Sequence, residues 1–361
     1  MDLNNQFVWA LYFGASVFEA IRWPKGHKKL AIDDIVTFHE RYGHYDLLAD
    51  DDPTGSAFST FVSEHKINDS DTVAVCLPAD TGFARFLRLP PLTDSEIAEV
   101  MANEAVAEIP FGEQNSIWTY QTTHKSLNQE TEQGLFAAKR KAIQRCLDLL
   151  SEFGLKTDLI QIKSMALWNL AFWNTQAHTN SENEFTAIIS MATKSTDLII
   201  GNNCSRLWCH RIPIGGADFT EALQKNLKLT SAKAEDLKRG AVSAADPKTV
   251  FQAMRPIYGK LADGLEEALL QFLKAYEHKS ANIKMVFLSG GPARLPGVKN
   301  FLIGHLNGVL SGAPICLIET IFNEKCDERD PYQKDFPSFA ACYGTAIQVA
   351  GYGAINTNLM P

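Results

Sequence analysis

Short apolar runs closed by turns of small residues dominate the chain, and one arrangement of them occurs twice. Phe7 to Phe13 alternates well enough for a strand, Gly14-Ala15-Ser16 makes a tight turn, and Val17 to Trp23 returns beside it. Phe185 to Met191, the turn Ala192-Thr193-Lys194-Ser195 and Thr196 to Gly201 repeat the design. Two hairpins of one pattern predict a fold of two related halves.

Around the first hairpin, Thr72 to Leu77 reads as a buried strand and Phe83 to Leu89 as another, stopped by Pro90-Pro91. A helix then opens at Thr93, with Glu96 at capping-box spacing, and runs to about Glu108 before Pro110. Its Ile97, Met101, Ala105 and Ile109 share one face. Ile117 to Gln121 and Gln133 to Ala138 are further strands. Lys139 to Phe153 is a helix with Ile143, Leu147 and Leu150 inward and Gly154 as its left-handed stop.

After the second hairpin, Arg206 to Ile214 is a third strand, followed by Gly215-Gly216 and a helix from about Asp218. Ser231 to Arg239 is short, helical and charged. Asp246-Pro247 then starts a long helix in which Val250, Met254, Ile257, Leu261, Leu265, Ala268 and Phe272 follow a 3.6-residue period. The run Phe287-Leu288-Ser289-Gly290-Gly291-Pro292-Ala293-Arg294 is an apolar strand entering a glycine turn, with the amphipathic segment Val298 to Leu306 beyond it. Paired glycines after a buried strand either let backbone amides approach a flat or anionic ligand or simply permit a tight strand-helix junction. Asn323 to Pro337, rich in charge and proline, reads as a surface loop.

Composition narrows the function classes. The 361 residues, 45% hydrophobic, suffice for one large or two ordinary cores. A net charge of −8 without a Lys/Arg block argues against a nucleic-acid partner or an acidic lipid surface. No apolar stretch is long enough to insert in a membrane, and the first residues lack signal-peptide character, so a cytoplasmic protein is expected. The seven cysteines show no CxxC spacing and fit reduced thiols; Cys204, Cys209 and His210 come nearest to a metal cluster but lie in a strand. No metal ligand and no catalytic residue is assigned.

Five landmarks in order carry a family resemblance. They are the hairpin tip Gly14-Ala15-Ser16, the proline-bounded small subdomain, the second hairpin, Ile212-Pro213-Ile214-Gly215-Gly216-Ala217-Asp218-Phe219-Thr220 with Ala234-Glu235-Asp236-Leu237-Lys238, and Ser289-Gly290-Gly291. Glu104 to Phe111, Gly154-Leu155 with Asp158, and Ala166-Leu167 support them. The chain resembles the PilM family, the actin-like, FtsA-related proteins of type IV pilus assembly. The resemblance implies an α/β, two-lobed actin/Hsp70-like ATPase fold of duplicated ribonuclease-H-like halves, carrying an FtsA/PilM-type small subdomain. The expected division is 1–89 for the first sheet domain, completed by about 159–180 and 338–361; 90–158 for the small subdomain; 181–217 and 280–337 for the second sheet domain; and 218–279 for its helical subdomain.

The same resemblance implies ATP between the lobes. The phosphates would meet the tips Gly14, Ala15, Ser16 and Ala192, Thr193, Lys194, with Gly215 and Gly216 alongside. Ribose and base would meet Glu235 and Lys238, and the adenosine would lie on Gly290, Gly291, Pro292 and Arg294. Without the resemblance, Glu235 and Lys238 read as an ordinary solvated charged pair. The family places an aspartate in each hairpin, where this chain has Tyr12 and Ser190, and a lysine where it has Glu19; Ala192 replaces a glycine. Two missing carboxylates leave little to hold Mg²⁺. The expectation is a pseudo-ATPase with nucleotide binding left open; a working actin-like ATPase is the alternative.

The resemblance also implies a partner, the N-terminal cytoplasmic tail of a PilN-like membrane protein with an Ile-Asn-Leu-Leu-Pro-type motif. Binding it would place the chain at the periphery of the inner membrane. Asn103 to Phe111, Trp118 and Tyr120 are the expected partner-facing residues. Thr357-Asn358-Leu359-Met360-Pro361 itself resembles that motif. Segment Asn358 to Pro361 is therefore either a frayed end or an occupant of the chain's own groove or a neighbour's.

Overall fold

The computed structural model describes residues 7–25, 36–41, 53–126, 128–175, 183–202, 206–241, 244–276, 281–318 and 336–361. Most of the expected surface loop, from Asn323 to Asp335, lies outside the described residues, as does Cys204. The chain divides into two compact units, Met1–Ala177 with Phe339–Pro361 and His178–Ser338.

In the first unit, β1 (Phe7–Phe13) and β2 (Val17–Pro24) form the expected antiparallel hairpin. β3 (Val36–Arg41) pairs outside β2; β4 (Thr72–Leu77) runs parallel to β1, and β8 (Leu159–Ile162) parallel to β4. The resulting order is β3-β2-β1-β4-β8. Helix α1 (Pro53–Glu64) covers one face through Phe58 and Phe61, whose rings meet Phe13, Phe18 and Trp9 at edge-on and tilted angles. On α4 (Lys163–Thr175), Met165 to Ala171 is wholly buried. It crosses α9 (Phe336–Val349) so closely that a Cβ on Gly344 would lie 1.7 Å from the Ala166 carbonyl oxygen.

A three-stranded antiparallel sheet, β5-β7-β6, sits within this unit. β5 (Gly82–Leu89), β6 (Ser116–Lys125) and β7 (Thr131–Lys139) build it, and β5 pairs along its whole length with β7. Helix α2 (Asp94–Glu108) starts at the anticipated capping box. The Thr93 amide donates to Glu96 Oε2 at 2.8 Å, and the Glu96 amide to Thr93 Oγ1 at 3.4 Å. Its Ile97, Met101 and Ala105 pack on Leu135 and Ala137. Helix α3 (Arg140–Glu152) ends at Gly154 with φ +71°.

The second unit repeats the first sheet. β9 (Glu184–Met191), β10 (Thr196–Gly201), β11 (Leu207–Ile212), β12 (Asn282–Ser289) and β13 (Ile315–Leu317) take the order β11-β10-β9-β12-β13. Strand senses match: two antiparallel pairings on the hairpin side and two parallel ones beyond. Helices α5 (Gly216–Leu227), α6 (Ser231–Arg239), α7 (Pro247–Ala275) and α8 (Val298–Leu310) complete it. Asp246 caps α7 by accepting from the Thr249 amide at 3.0 Å, as its Asp-Pro start predicts. Val250, Met254, Leu261, Leu265 and Phe272 all reach the core, which bears out the helical period.

Candidate functional site

The first hairpin tip closes by a bond from the Gly14 amide to the Val17 carbonyl, 2.8 Å. Tyr12, buried on β1, turns its ring onto this tip: a Cβ on Gly14 would lie 2.7 Å from Tyr12 Cε1. The ammonium of Lys163, at the start of α4, stands 5.2 Å from the centre of the same ring, within reach of a cation-π attraction. Register sets Tyr12 between Glu19 on β2 and Cys76 on β4. Glu19 is 1% exposed and its Oε1 is 3.2 Å from His39 Nδ1. Cys342 Sγ donates to the Glu19 carbonyl at 3.6 Å. Burial pushes the Cys76 thiol up to about 12, against the pull of Thr345 and Lys163, and raises Cys342 as well, so both thiols are protonated and inert near neutrality. Ala15 and Ser16 are half-buried at the tip. An aromatic ring therefore packs against this turn with a lysine ammonium over its face; neither group offers a metal the carboxylate oxygen it prefers, whereas the ammonium suits an anion.

In the second unit, the turn closes through the Ala192 amide and the Ser195 carbonyl, 2.9 Å. Its own carbonyls are also used: Gly216 N donates to Ala192 O at 2.9 Å and Ala217 N to Thr193 O at 2.8 Å. The Gly215 amide donates to Asp218 Oδ2 at 2.8 Å. Amides at a helix start would ordinarily be free to meet an anion. Here 215, 216 and 217 are all committed within the chain. A Cβ on Gly215 would lie 2.6 Å from Thr193 O, so this glycine is required by turn packing. Ser190 and Ser289 are register neighbours whose buried hydroxyls find no partner among the described residues. The neutral Ser190 hydroxyl supplies none of the charge that a carboxylate gives a hard cation.

Gly290 has φ +94°, and a Cβ there would lie 2.0 Å from the Met191 carbonyl oxygen. The tight junction alone thus accounts for that glycine. A single 3₁₀ turn, Gly291–Arg294, follows, with open space over Gly291. A Cβ on Gly216 would be 3.2 Å from Pro292 Cγ and 3.6 Å from Lys238 Nζ, so the second unit gathers Ala192, Gly215, Gly216, Lys238 and Pro292 into one patch. Lys238 Nζ donates to Gly216 O at 3.0 Å and Thr220 Oγ1 at 2.8 Å, and pairs with Glu235 Oε2 at 2.6 Å. Burial alone would raise the Glu235 carboxyl, but hydrogen bonds from Lys238 and Thr220, with the Lys238 charge, hold it at about 2. Burial outweighs pairing for Lys238, whose pKa is lowered. The pair that read as a solvated face is a half-buried brace between α6 and α5. Lys194 is exposed at the tip, and Arg294 ends the 3₁₀ turn. Gly14, Ala15 and Ser16 belong to the first unit.

Phe111 and Trp118 are half-buried against the cluster under α2, and Trp118 Nε1 donates to Glu113 Oε1 at 3.2 Å. Tyr120 remains partly exposed on β6.

A groove appears elsewhere in the same unit, along the β8 edge and β6, and residues 354–360 lie in it. Asn169 of α4 holds Ile355 by both main-chain groups, donating to its carbonyl at 2.8 Å and accepting its amide at 2.9 Å. Gln121 of β6 does the same for its neighbours, donating to Ala354 O at 3.0 Å and accepting from Asn356 N at 2.9 Å. Gln348 of α9 donates to Thr357 O at 2.7 Å. The Leu359 amide meets Ile160 O at 3.0 Å, and Asn358 Oδ1 accepts the Ile160 amide at 3.0 Å. Of these, only Asn169 carried a signal in sequence, as a lone amide inside an apolar helical run.

The family model "Type IV pilus assembly protein PilM" matches residues 58–347. A comparison with curated sequences finds no match. Among solved structures, the chain is similar to a PilM-PilN type IV pilus biogenesis complex, with TM-score 0.70 and 19% identity over 95% of this chain and 98% of that one. It is also similar to the ethanolamine utilization protein EutJ from Carboxydothermus hydrogenoformans, with TM-score 0.52, 12% identity and coverage of 94% and 89%. The MamK double helical filament gives TM-score 0.52 and 10% identity over 96% and 99%. The fold is that of the actin-like ATPases.

Proposed function

The chain belongs to the type IV pilus assembly protein PilM family, and from that membership we propose that it is a scaffold that grasps the tail of a PilN-like membrane protein and does not turn over nucleotide. The observation that carries this reading is the Tyr12 ring packed on Gly14 under the Lys163 ammonium, a neutral ring and a cation where Mg²⁺ would need carboxylate oxygens. The committed amides of Gly215, Gly216 and Ala217 support it from the second unit. A similar structure pairs a PilM with a PilN, which makes such a tail the first partner to test. None of the described helices is long and apolar enough to cross a membrane. A PilN-like partner is the proposed route to the inner membrane.

Any nucleoside contact would fall to the Glu235-Lys238 pair and the turn at Gly290, Gly291 and Pro292. The test is the full chain with labelled ATP and Mg²⁺, with binding and phosphate release measured separately. Release at the buffer background is expected, with or without binding. Sustained release in proportion to protein concentration would restore the working-ATPase reading.

A further inference from the structure

The segment after α9 behaves as a ligand of the unit it belongs to. Ile355, Thr357 and Leu359 are buried while Asn356 and Asn358 are exposed, the two-residue alternation of an added strand. It lies along β8, the last strand of its sheet, and so covers an otherwise open edge. Most contacts go to its main chain, from side-chain amides of Asn169, Gln121 and Gln348. Such contacts accept any extended backbone. Selection is left to the sockets of Ile355 and Leu359, both fully buried, and to Asn358, whose side chain stands in for a carbonyl opposite Ile160 and also donates to Asp158 O at 2.9 Å.

The receiving side is built for an occupant. Asn169 is fully buried, and its bonds beyond this segment reduce to one with Gln348 Oε1 at 3.3 Å. Gln161, also fully buried, faces Thr357 and Gln348. With the segment gone, these amides would turn to water and to one another, so the groove presents side-chain donors and acceptors spaced for an extended backbone.

We propose that this groove is a receptor for extended peptides of the pattern apolar-x-Thr-Asn-Leu, and that residues 355–359 plug it in cis, so that an incoming tail must displace them. The identity of that tail rests on the function proposed above: its Asn-Leu-Leu-Pro resembles Asn358-Leu359-Met360-Pro361.

The test inserts a protease site after Tyr352 in the full chain, cuts it after folding, and follows a fluorescent peptide of residues 353–361 by anisotropy. The cut chain, dialysed, is expected to bind this peptide at least tenfold more tightly than the uncut chain, and a peptide carrying Asn358→Ala and Leu359→Asp is expected not to bind. Leu359→Asp in the uncut chain loosens the plug without cutting and should also raise binding. A PilN-type tail peptide is then added as competitor. Displacement of the probe supports both readings. Probe binding without displacement keeps the plugged receptor and removes the PilN-type partner. A cut chain of native circular dichroism that binds no better than the uncut one overturns the inference, as does equal binding of the substituted peptide.

Discussion

The two hairpins share topology, strand order and sense, yet their tips are packed by different physics. The first is filled by volume: Tyr12 presses its ring onto Gly14 and Lys163 covers the ring. The second is closed by hydrogen bonding, its tip carbonyls taken by the first amides of α5. Two turns of one design are thus completed by different contacts.

The sharpest contrast lies in the glycines. Gly290→Ala places a Cβ on the Met191 carbonyl at a φ of +94°, where backbone has to move. A loss of about 3 kcal/mol or more is expected, read from urea midpoints, with no rescue by trimming neighbours. Gly14→Ala meets the Tyr12 ring at 2.7 Å, and also the Val17 carbonyl at 3.0 Å. It should cost about 1–3 kcal/mol, and Tyr12→Ala should recover part of that in a double-mutant cycle. Strict additivity would mean that the ring does not pack on the tip.

Within the second unit, the two oxygens of Glu235 give a smaller comparison. Lys238 reaches Oε2 along with Thr220 and Gly216, whereas Arg239 meets Oε1 at 2.9 Å on the exposed side. Lys238→Met should destabilise by about 1–3 kcal/mol and Arg239→Met by no more than about 0.5 kcal/mol. Equal losses would contradict the brace. The same carboxyl predicts a pH effect. Its folded pKa, about 2, lies below the ordinary carboxylate value, so its stabilisation is complete above roughly pH 4.5 and fades as pH falls toward 2. Screened for its partial exposure, it amounts to about 1 kcal/mol. Glu235→Gln should therefore melt below wild type at pH 7, with the gap closing in acid; a constant gap would remove the assignment.

Local signals carried much of this into the sequence. Small-residue tips, the Thr93-Glu96 capping box, the Asp246-Pro247 start and the 3.6-residue stripe of α7 each depend on a few neighbouring residues, and each is found in place. What escaped lacked such signals. β8 has four residues and β13 three, too few for alternation to register, and α4 is buried nearly all round, so it shows no stripe. Phe111 and Trp118 illustrate another limit: an aromatic residue near the end of an element reads equally well as anchor or as core. The groove was illegible for a third reason. Gln121, Gln161, Asn169 and Gln348 come from four elements and acquire meaning only when the fold sets them around one extended segment. Glu235 and Lys238 lay between these cases, since three-residue spacing shows that they can pair but not that Thr220 and Gly216 enclose them.

The central claim, that the protein's own groups fill both tips, is tested most directly by Mg²⁺-dependent phosphate release from labelled ATP on the full chain beside Tyr12→Asp/Ser190→Asp. The account predicts background release from the wild type, whatever the double variant does. Steady release from the wild type that falls when Lys163 is replaced by alanine would contradict it.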